Sequence, residues 1–145
     1  MKNIQTEILI NAEPEKVWQV LTDFEKHPSW NPLIKSIKGE KAVGEKLTVF
    51  LQAPGGKGMT FKPVVLEFEP NKEFRWKGKL GIKGIFDGEH YFLLEKQGEK
   101  QTRFVHGENF SGFLVPLMGG ILKDTKKGFE LMNEALKGEC EKVNV

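Results

Sequence analysis

The sequence predicts an α+β domain in which a curved, seven-stranded antiparallel sheet wraps around a long C-terminal helix, with two short helices after the first strand. Three observations carry this. Segments with period-two hydrophobic alternation fill most of residues 33 to 113. The connections between them are short and made of turn residues, which joins neighbours antiparallel, because a parallel crossover needs about a dozen residues or more. After Pro116 the period changes to 3.6 and persists to about residue 140.

The elements follow in order. "KNIQTEILI" places Ile4, Thr6, Ile8 and Ile10 on one face of a half-buried strand over 2–10. In "NAEPEKVWQVLTDF", Pro14 suits a first helical turn, and Glu13 and Glu15 suit its positive end. Val17, Trp18, Leu21 and Phe24 then recur at helical spacing. "EKHPSWNP" carries Pro28 and Pro32 and allows one further helical turn at most, which leaves Trp30 on an irregular segment. Strands are expected at 34–39, 45–52, 59–69, 73–79, 84–96 and 102–112, separated by "KAVG", "APGGKG", "EPNK", "KLGIKG" and "KQGEK". The final helix presents Leu117, Ile121, Thr125, Phe129, Met132 and Leu136 as one stripe.

With 145 residues the chain is expected to form a single domain over 1–145. Hydrophobic residues make up 39% and charged residues 29%, the balance of a globular protein rather than a disordered or fibrous one. The 22 basic and 20 acidic residues are interspersed and leave a net charge of +2, so no basic footprint for nucleic acid is present. The start "MKNIQTEILINAE" lacks the pattern of a signal peptide. The lone Cys140 has no internal disulfide partner. "SGFLVPLMGGIL" is interrupted by Pro116, Gly119 and Gly120 and falls short of a membrane span. A cytoplasmic address and a monomer or weak dimer are the expectations.

Taken together, "INAEPEKVWQVLTDFEKHPSWNP", "FEPNKEFRWKG", "GEHYFLLE", "TRFVHGENFSGFLVPL" and "GFELMNEALK" resemble the SRPBCC group of START-like, helix-grip proteins, the fold of the birch pollen allergen. The resemblance is nearest to the bacterial branch described as polyketide cyclase/dehydrase-like. It implies an apolar cavity between sheet and long helix. It carries over no catalytic residue, because the group shares no catalytic set and the fold hosts carriers, enzymes and chaperone activators alike.

Strand parity gives the interior its polar features. Phe86, Gly88, His90, Phe92 and Leu94 share one face of their strand, and Thr102, Phe104, His106, Glu108 and Phe110 share one face of the next. If "QGEKQ" forms an odd-length hairpin loop pairing residue 96 with 102, His90 lies opposite Glu108 and Phe92 opposite His106. Two histidines and a carboxylate then cluster. One reading is a buried His90–Glu108 hydrogen-bonded pair that satisfies itself. A second is a polar anchor for a ligand carbonyl or hydroxyl in an apolar pocket, and a third is acid-base chemistry. Two imidazoles and a carboxylate also suit zinc, but without a metal-binding spacing motif no metal is expected.

Eleven Phe against one Tyr suit a dry interior. Ring contacts to a ligand are expected from Phe61, Trp76, Phe86, Phe92 and Phe110, with Leu117, Ile121 and Thr125 on the helix side. Trp18 reads as core, whereas Trp30 reads as a cap or plug at the cavity mouth. "APGGKGM" lacks P-loop spacing and is followed by a strand, so it reads as a hairpin tip. Cys140 sits near the helix end among charges, and no GxSxG is present, so nucleophilic hydrolysis has no support. No cofactor is indicated. Three functions follow: a carrier or sensor of a small hydrophobic molecule (lipid, polyketide or aromatic), a cyclase or dehydrase using His90 and Glu108 as acid-base pair, and a protein-interaction module with a filled core.

Overall fold

The computed structural model describes residues 2–52, 58–79, 87–112 and 119–142, without the side chains of Lys79 and residues 119–122. Phe86, Leu117, Pro116, the tip of "APGGKG" and most of "KLGIKG" lie outside the described residues. Ile121 is placed only as a position on the last helix.

Strand β1 spans Lys2–Ile10 and helix α1 spans Pro14–Thr22. Pro14 occupies the start of α1, where its missing N–H removes no helical bond, and Val17, Trp18 and Leu21 face the core. A 3-10 turn, Phe24–Lys26, leads into the one-turn helix α2, His27–Trp30. Strands β2 (Ile34–Lys38), β3 (Thr48–Leu51), β4 (Met59–Phe61), β5 (Val64–Glu69), β6 (Glu73–Lys79), β7 (Asp87–Gly98) and β8 (Gln101–Ser111) follow, and helix α3 spans Gly119–Cys140.

The α+β architecture is as the sequence predicts, with one subdivision. The expected strand over 59–69 is two strands, β4 and β5, because Pro63 between them has no N–H to give to a ladder. The eight strands among the described residues form a five-stranded antiparallel sheet, β1-β8-β7-β6-β5, and a three-stranded one, β2-β3-β4. Main-chain bonds tie the two together: Leu47 N–H donates to Pro63 O at 2.9 Å, and Val65 N–H donates to Glu45 O at 2.9 Å. The turn before β6 uses Asn71 at φ 67°, a left-handed conformation that asparagine tolerates well.

Helix α3 packs on α1, β1 and β8. Its buried face carries Phe129, Met132, Asn133, Leu136 and Cys140. The thiol of Cys140 is thus a core group rather than a member of a charged helix end, and burial pushes it up to about 12. Among the described residues, no helix is long and apolar enough to cross a membrane.

Candidate functional site

The register expected from parity holds. Lys96 pairs with Thr102, because the bulge in the β7–β8 hairpin lies between Lys96 and the turn, and His90 therefore faces Glu108 and Phe92 faces His106. Extended across the sheet, one inward-facing rung runs Val65, Trp76, His90, Glu108, Ile4. The next runs Phe68, Phe74, Phe92, His106, Thr6.

The imidazoles contact each other. His90 Nε2 lies 2.7 Å from His106 Nε2, while His90 Nδ1 stands 3.5 Å from Glu108 Oε1. The expected His90–Glu108 hydrogen bond is therefore not made; the pair is at ion-pair distance, and Nδ1 is buried with no hydrogen-bond partner. His106 wins the contact because it lies one rung along and its ring is fixed from the far side. His106 Nδ1 is 2.9 Å from Asn133 Oδ1, Asn133 Nδ2 donates to Thr6 Oγ1 at 2.8 Å, and Thr6 Oγ1 donates to the His106 carbonyl at 2.9 Å.

This chain has a direction. The His106 carbonyl only accepts, so the Thr6 hydroxyl gives it a proton and takes one from the Asn133 amide; Asn133 Oδ1 then faces His106 and requires Nδ1–H there. Burial, reinforced by the neighbouring His90, holds His106 well below the usual histidine range, against the opposing effect of its bond to Asn133. A neutral His106 with Nδ1–H has a bare Nε2, so His90 donates from its own Nε2. A neutral His90 would then present a bare Nδ1 to a carboxylate, acceptor against acceptor.

The imidazoles sit in an apolar cage. Phe129 stacks on His106 at 4.1 Å between ring centroids and lies 4.9 Å from His90. Trp76 and Phe92 each lie 4.8 Å from His90. His90 and His106 are 1% and 0% exposed, whereas the Glu108 side chain is 14% exposed. Glu108 is thus the end of the chain nearest solvent.

The neighbouring rung, Gly78–Gly88–Phe110, holds two glycines side by side. Their missing side chains leave a depression that other groups fill: a Cβ at Gly88 would lie 2.2 Å from Glu108 Oε2, and one at Gly78 3.0 Å from the Phe61 ring. Phe61 comes from β4 of the smaller sheet and is only partly buried, 6.5 Å from Trp76. Trp76, Phe92, Phe110, His90, His106, Glu108 and Phe61 are therefore brought together, and Thr125 lies on the facing helix.

Trp30 lies apart, on α2, stacked on His27 at 4.9 Å with its indole N–H buried and without a hydrogen-bond partner. The segment "HPSWNP" is more ordered than its prolines suggest. His27 Nε2–H donates to Leu21 O at 2.6 Å, Asn31 Nδ2 donates to His27 Nδ1 at 3.1 Å, and Asn31 Oδ1 accepts from the N–H groups of Leu33 and Ile34. Burial lowers His27 below the usual range, with the Leu21 carbonyl opposing. Two surface clefts flank this segment, of about 450 Å³ beside Phe24 and Ile37 and about 300 Å³ beside Trp30 and Glu139; the lining of neither includes His90, His106 or Glu108.

Sequence reasoning missed Asn133 as a partner of His106, and Thr6 beyond its place on the β1 face. Both were detectable: Asn133 stands one turn after Phe129 on the apolar stripe, and Thr6 interrupts a row of isoleucines.

A sequence profile for "Polyketide cyclase / dehydrase and lipid transport" matches residues 1–143. No curated protein matches the chain in sequence. Among solved structures, a START superfamily protein from Mycobacterium smegmatis is 20% identical with a TM-score of 0.77, covering 96% of this chain and 97% of its own. Protein MLL2253 from Mesorhizobium loti is 22% identical with a TM-score of 0.77, over 99% and 100%. The Zhui aromatase/cyclase from Streptomyces sp. R1128 is 13% identical with a TM-score of 0.78, over 97% and 93%. At these identities the likeness is one of fold, the START-like helix-grip fold.

Proposed function

Because the chain belongs to the polyketide cyclase/dehydrase and lipid-transport family, we propose that it binds or carries a small hydrophobic molecule between the sheet and the C-terminal helix. The observation that carries this reading is the glycine rung Gly78–Gly88, bordered by Trp76 and Phe110 and filled, among the described residues, by the partly exposed side chains of Phe61 and Glu108 with Pro63 at the edge. Movement of those two side chains opens an apolar surface with a polar group at one end, the usual composition of a small-molecule site. The closed imidazole pair forms the floor beneath Glu108.

Calorimetric titration with a panel of fatty acids, flavonoids and polycyclic aromatics tests this. Saturable binding that weakens in Phe61→Ala or Glu108→Gln supports the reading. Absence of binding across the panel moves the function to the protein surface.

The buried, unbonded Nδ1 of His90 facing Glu108 favours a second reading, an acid-base enzyme of the cyclase or dehydrase type. Here Glu108 or His90 moves a proton at an enolisable carbonyl. Glu108→Gln would then abolish turnover while leaving binding in place, and unchanged turnover would eliminate that role.

A further inference from the structure

Away from the imidazole pair, a third histidine fastens the helical lip to the rest of the fold. His27 is 1% exposed; it opens α2 and reaches back to α1, where its Nε2 lies 2.6 Å from the carbonyl oxygen of Leu21. That carbonyl is in the last turn of α1 and has no partner within the helix. A carbonyl only accepts, so Nε2 carries the hydrogen. Nδ1 lies 3.1 Å from Asn31 Nδ2. The Asn31 amide has no freedom to turn, because its Oδ1 accepts from the N–H groups of Leu33 at 2.8 Å and Ile34 at 2.9 Å, where β2 begins. Nδ1 is therefore a bare acceptor, and this one neutral tautomer joins the end of α1, α2 and the start of β2.

A second proton on the ring breaks the join. An imidazolium has N–H on both nitrogens, so Nδ1–H would point at the Asn31 amide N–H, donor against donor, in a buried place. Turning the amide over offers its oxygen to the ring but sets its nitrogen against the N–H groups of Leu33 and Ile34. Neither arrangement satisfies the segment, and the conflict ends when α2 lifts and the ring meets water. Trp30 gains by the same movement: its ring stacks on His27 at 4.9 Å, and its indole N–H is buried without a hydrogen-bond partner. Burial is the main influence on His27 and disfavours its charge; after the Leu21 bond, Asp23 favours the imidazolium and Lys41 opposes it. The Asp23 carboxylate is 41% exposed and stands 3.9 Å from Lys26, and Lys41 lies over the Phe24 ring at 5.0 Å. Helix α2 also packs on β2, which carries Lys35 and Lys38, and on α3, whose Glu139 and Lys142 pair with each other at 2.6 Å.

We infer that His27 is an acid-released latch: uptake of a proton at Nδ1 frees α2 from α1 and from the start of β2 while the five-stranded sheet stays folded. The sheet outlasts the latch because its own His106 is tied to Asn133 in the core and is held further below the ordinary histidine range than His27. What opens is the lip that bears Ser29 and Trp30, one wall of the cleft of about 300 Å³ shared with α1 and the end of α3. The latch sets the exposure of Trp30 and of that cleft by pH, and it acts whatever the interior binds.

An NMR titration of the isotope-labelled chain from pH 7.5 to pH 5 tests this. It follows the ring nitrogens of His27, the side-chain amide of Asn31, the indole N–H of Trp30 and the backbone amides of Leu33 and Ile34, with Phe92 and Val105 of the sheet as reference. The expected result is the Nε2–H tautomer at pH 7.5 and one common midpoint, below the ordinary 6.5, at which the lip signals move together and the reference amides stay. Asn31→Asp keeps an acceptor for Leu33 and Ile34 and offers a second oxygen to Nδ1–H, so the latch holds in its charged form. There the midpoint of His27 rises by at least about one pH unit and the lip stays shut at pH 5.5. His27→Gln, whose amide offers a donor and an acceptor but takes up no proton, loses the step altogether. A His27 that stays neutral to pH 5, or that titrates with Asn31, Leu33 and Ile34 unmoved, overturns the inference. So does a lip that moves only together with Phe92 and Val105, an Asn31→Asp chain that opens at the wild-type midpoint, or a step that persists in His27→Gln.

Discussion

His90 and His106 meet through their Nε2 atoms at 2.7 Å, and only one proton fits between them. Because Asn133 and Thr6 fix which ring gives it, the pair is an ordered donor and acceptor rather than two interchangeable histidines. The folded chain therefore pins the tautomer of His106 from 27 residues away in sequence.

That pinning has a pH signature. His106 and His27 both titrate below their ordinary 6.5 in the folded protein because burial disfavours the imidazolium. Below pH 6.5 the unfolded chain takes up protons that the folded chain refuses. Stability is therefore full above about pH 6.5 and falls as pH drops below it toward the lowered folded values of the two histidines. Urea midpoints at pH 7.5, 6.5 and 5.5 check this, with a flat profile as the contrary outcome.

Replacing Asn133 with Leu removes the acceptor for His106 Nδ1–H, leaving it buried and unpaired, and takes from the Thr6 hydroxyl its donor while its own bond to the His106 carbonyl remains. A loss of about 1–3 kcal/mol is expected. Thr6→Val alone should lose less, and the double variant should fall short of the sum, because the two residues belong to one network. Denaturant unfolding of the three variants measures the shortfall.

Two glycines on adjacent strands separate function from stability. Gly88→Ala places a methyl 2.2 Å from Glu108 Oε2, the far end of a flexible chain, so the carboxylate swings aside and folding changes by less than about 1 kcal/mol. Binding that depends on Glu108 should weaken. Gly107→Ala acts on the opposite face, where the methyl meets the Tyr91 hydroxyl at 2.3 Å and the Ile4 backbone oxygen at 2.7 Å. Backbone cannot step aside, and a loss of about 1–3 kcal/mol is expected. Thermal unfolding and probe binding measured side by side should reverse order between the two variants.

Phe129→Ala removes the ring stacked on His106 from a site 1% exposed. A cost of about 3–5 kcal/mol is expected. The cavity would also expose the imidazole pair, so the acid limb of the stability profile should flatten as His106 approaches an ordinary titration.

Much of this was legible in sequence because period-two alternation fixes both face and register. The placement of His90 opposite Glu108 and of Phe92 opposite His106 needed only the parity of the two strands and an odd loop between them. What parity cannot give is distance along the side chain. Glu108 and His106 are both within reach of His90, and the choice between them was made by Asn133, a residue on a helix distant in sequence that has no register with the sheet. The division of 59–69 at Pro63 was in principle readable from the missing N–H. The enclosure of Cys140 was not, because a charged neighbourhood in sequence does not reveal that one face of the last helical turn still packs on the core. Phe86 and Leu117 lie outside the described residues, and their expected role in lining the site stays part of the proposal.

The most direct test of the account is a heteronuclear NMR titration of the labelled protein with 2-naphthol, following the imidazoles of His90 and His106, the indole of Trp76 and the amides of Gly78, Gly88 and Glu108. The account expects saturable shifts concentrated at Glu108, the two glycines and His90, with His106 remaining in its Nδ1–H form and the outer-face Tyr91 and Arg75 unmoved. Shifts confined to the outer face or to the "HPSWNP" segment, or none at all, would contradict it and place the working surface of this fold elsewhere.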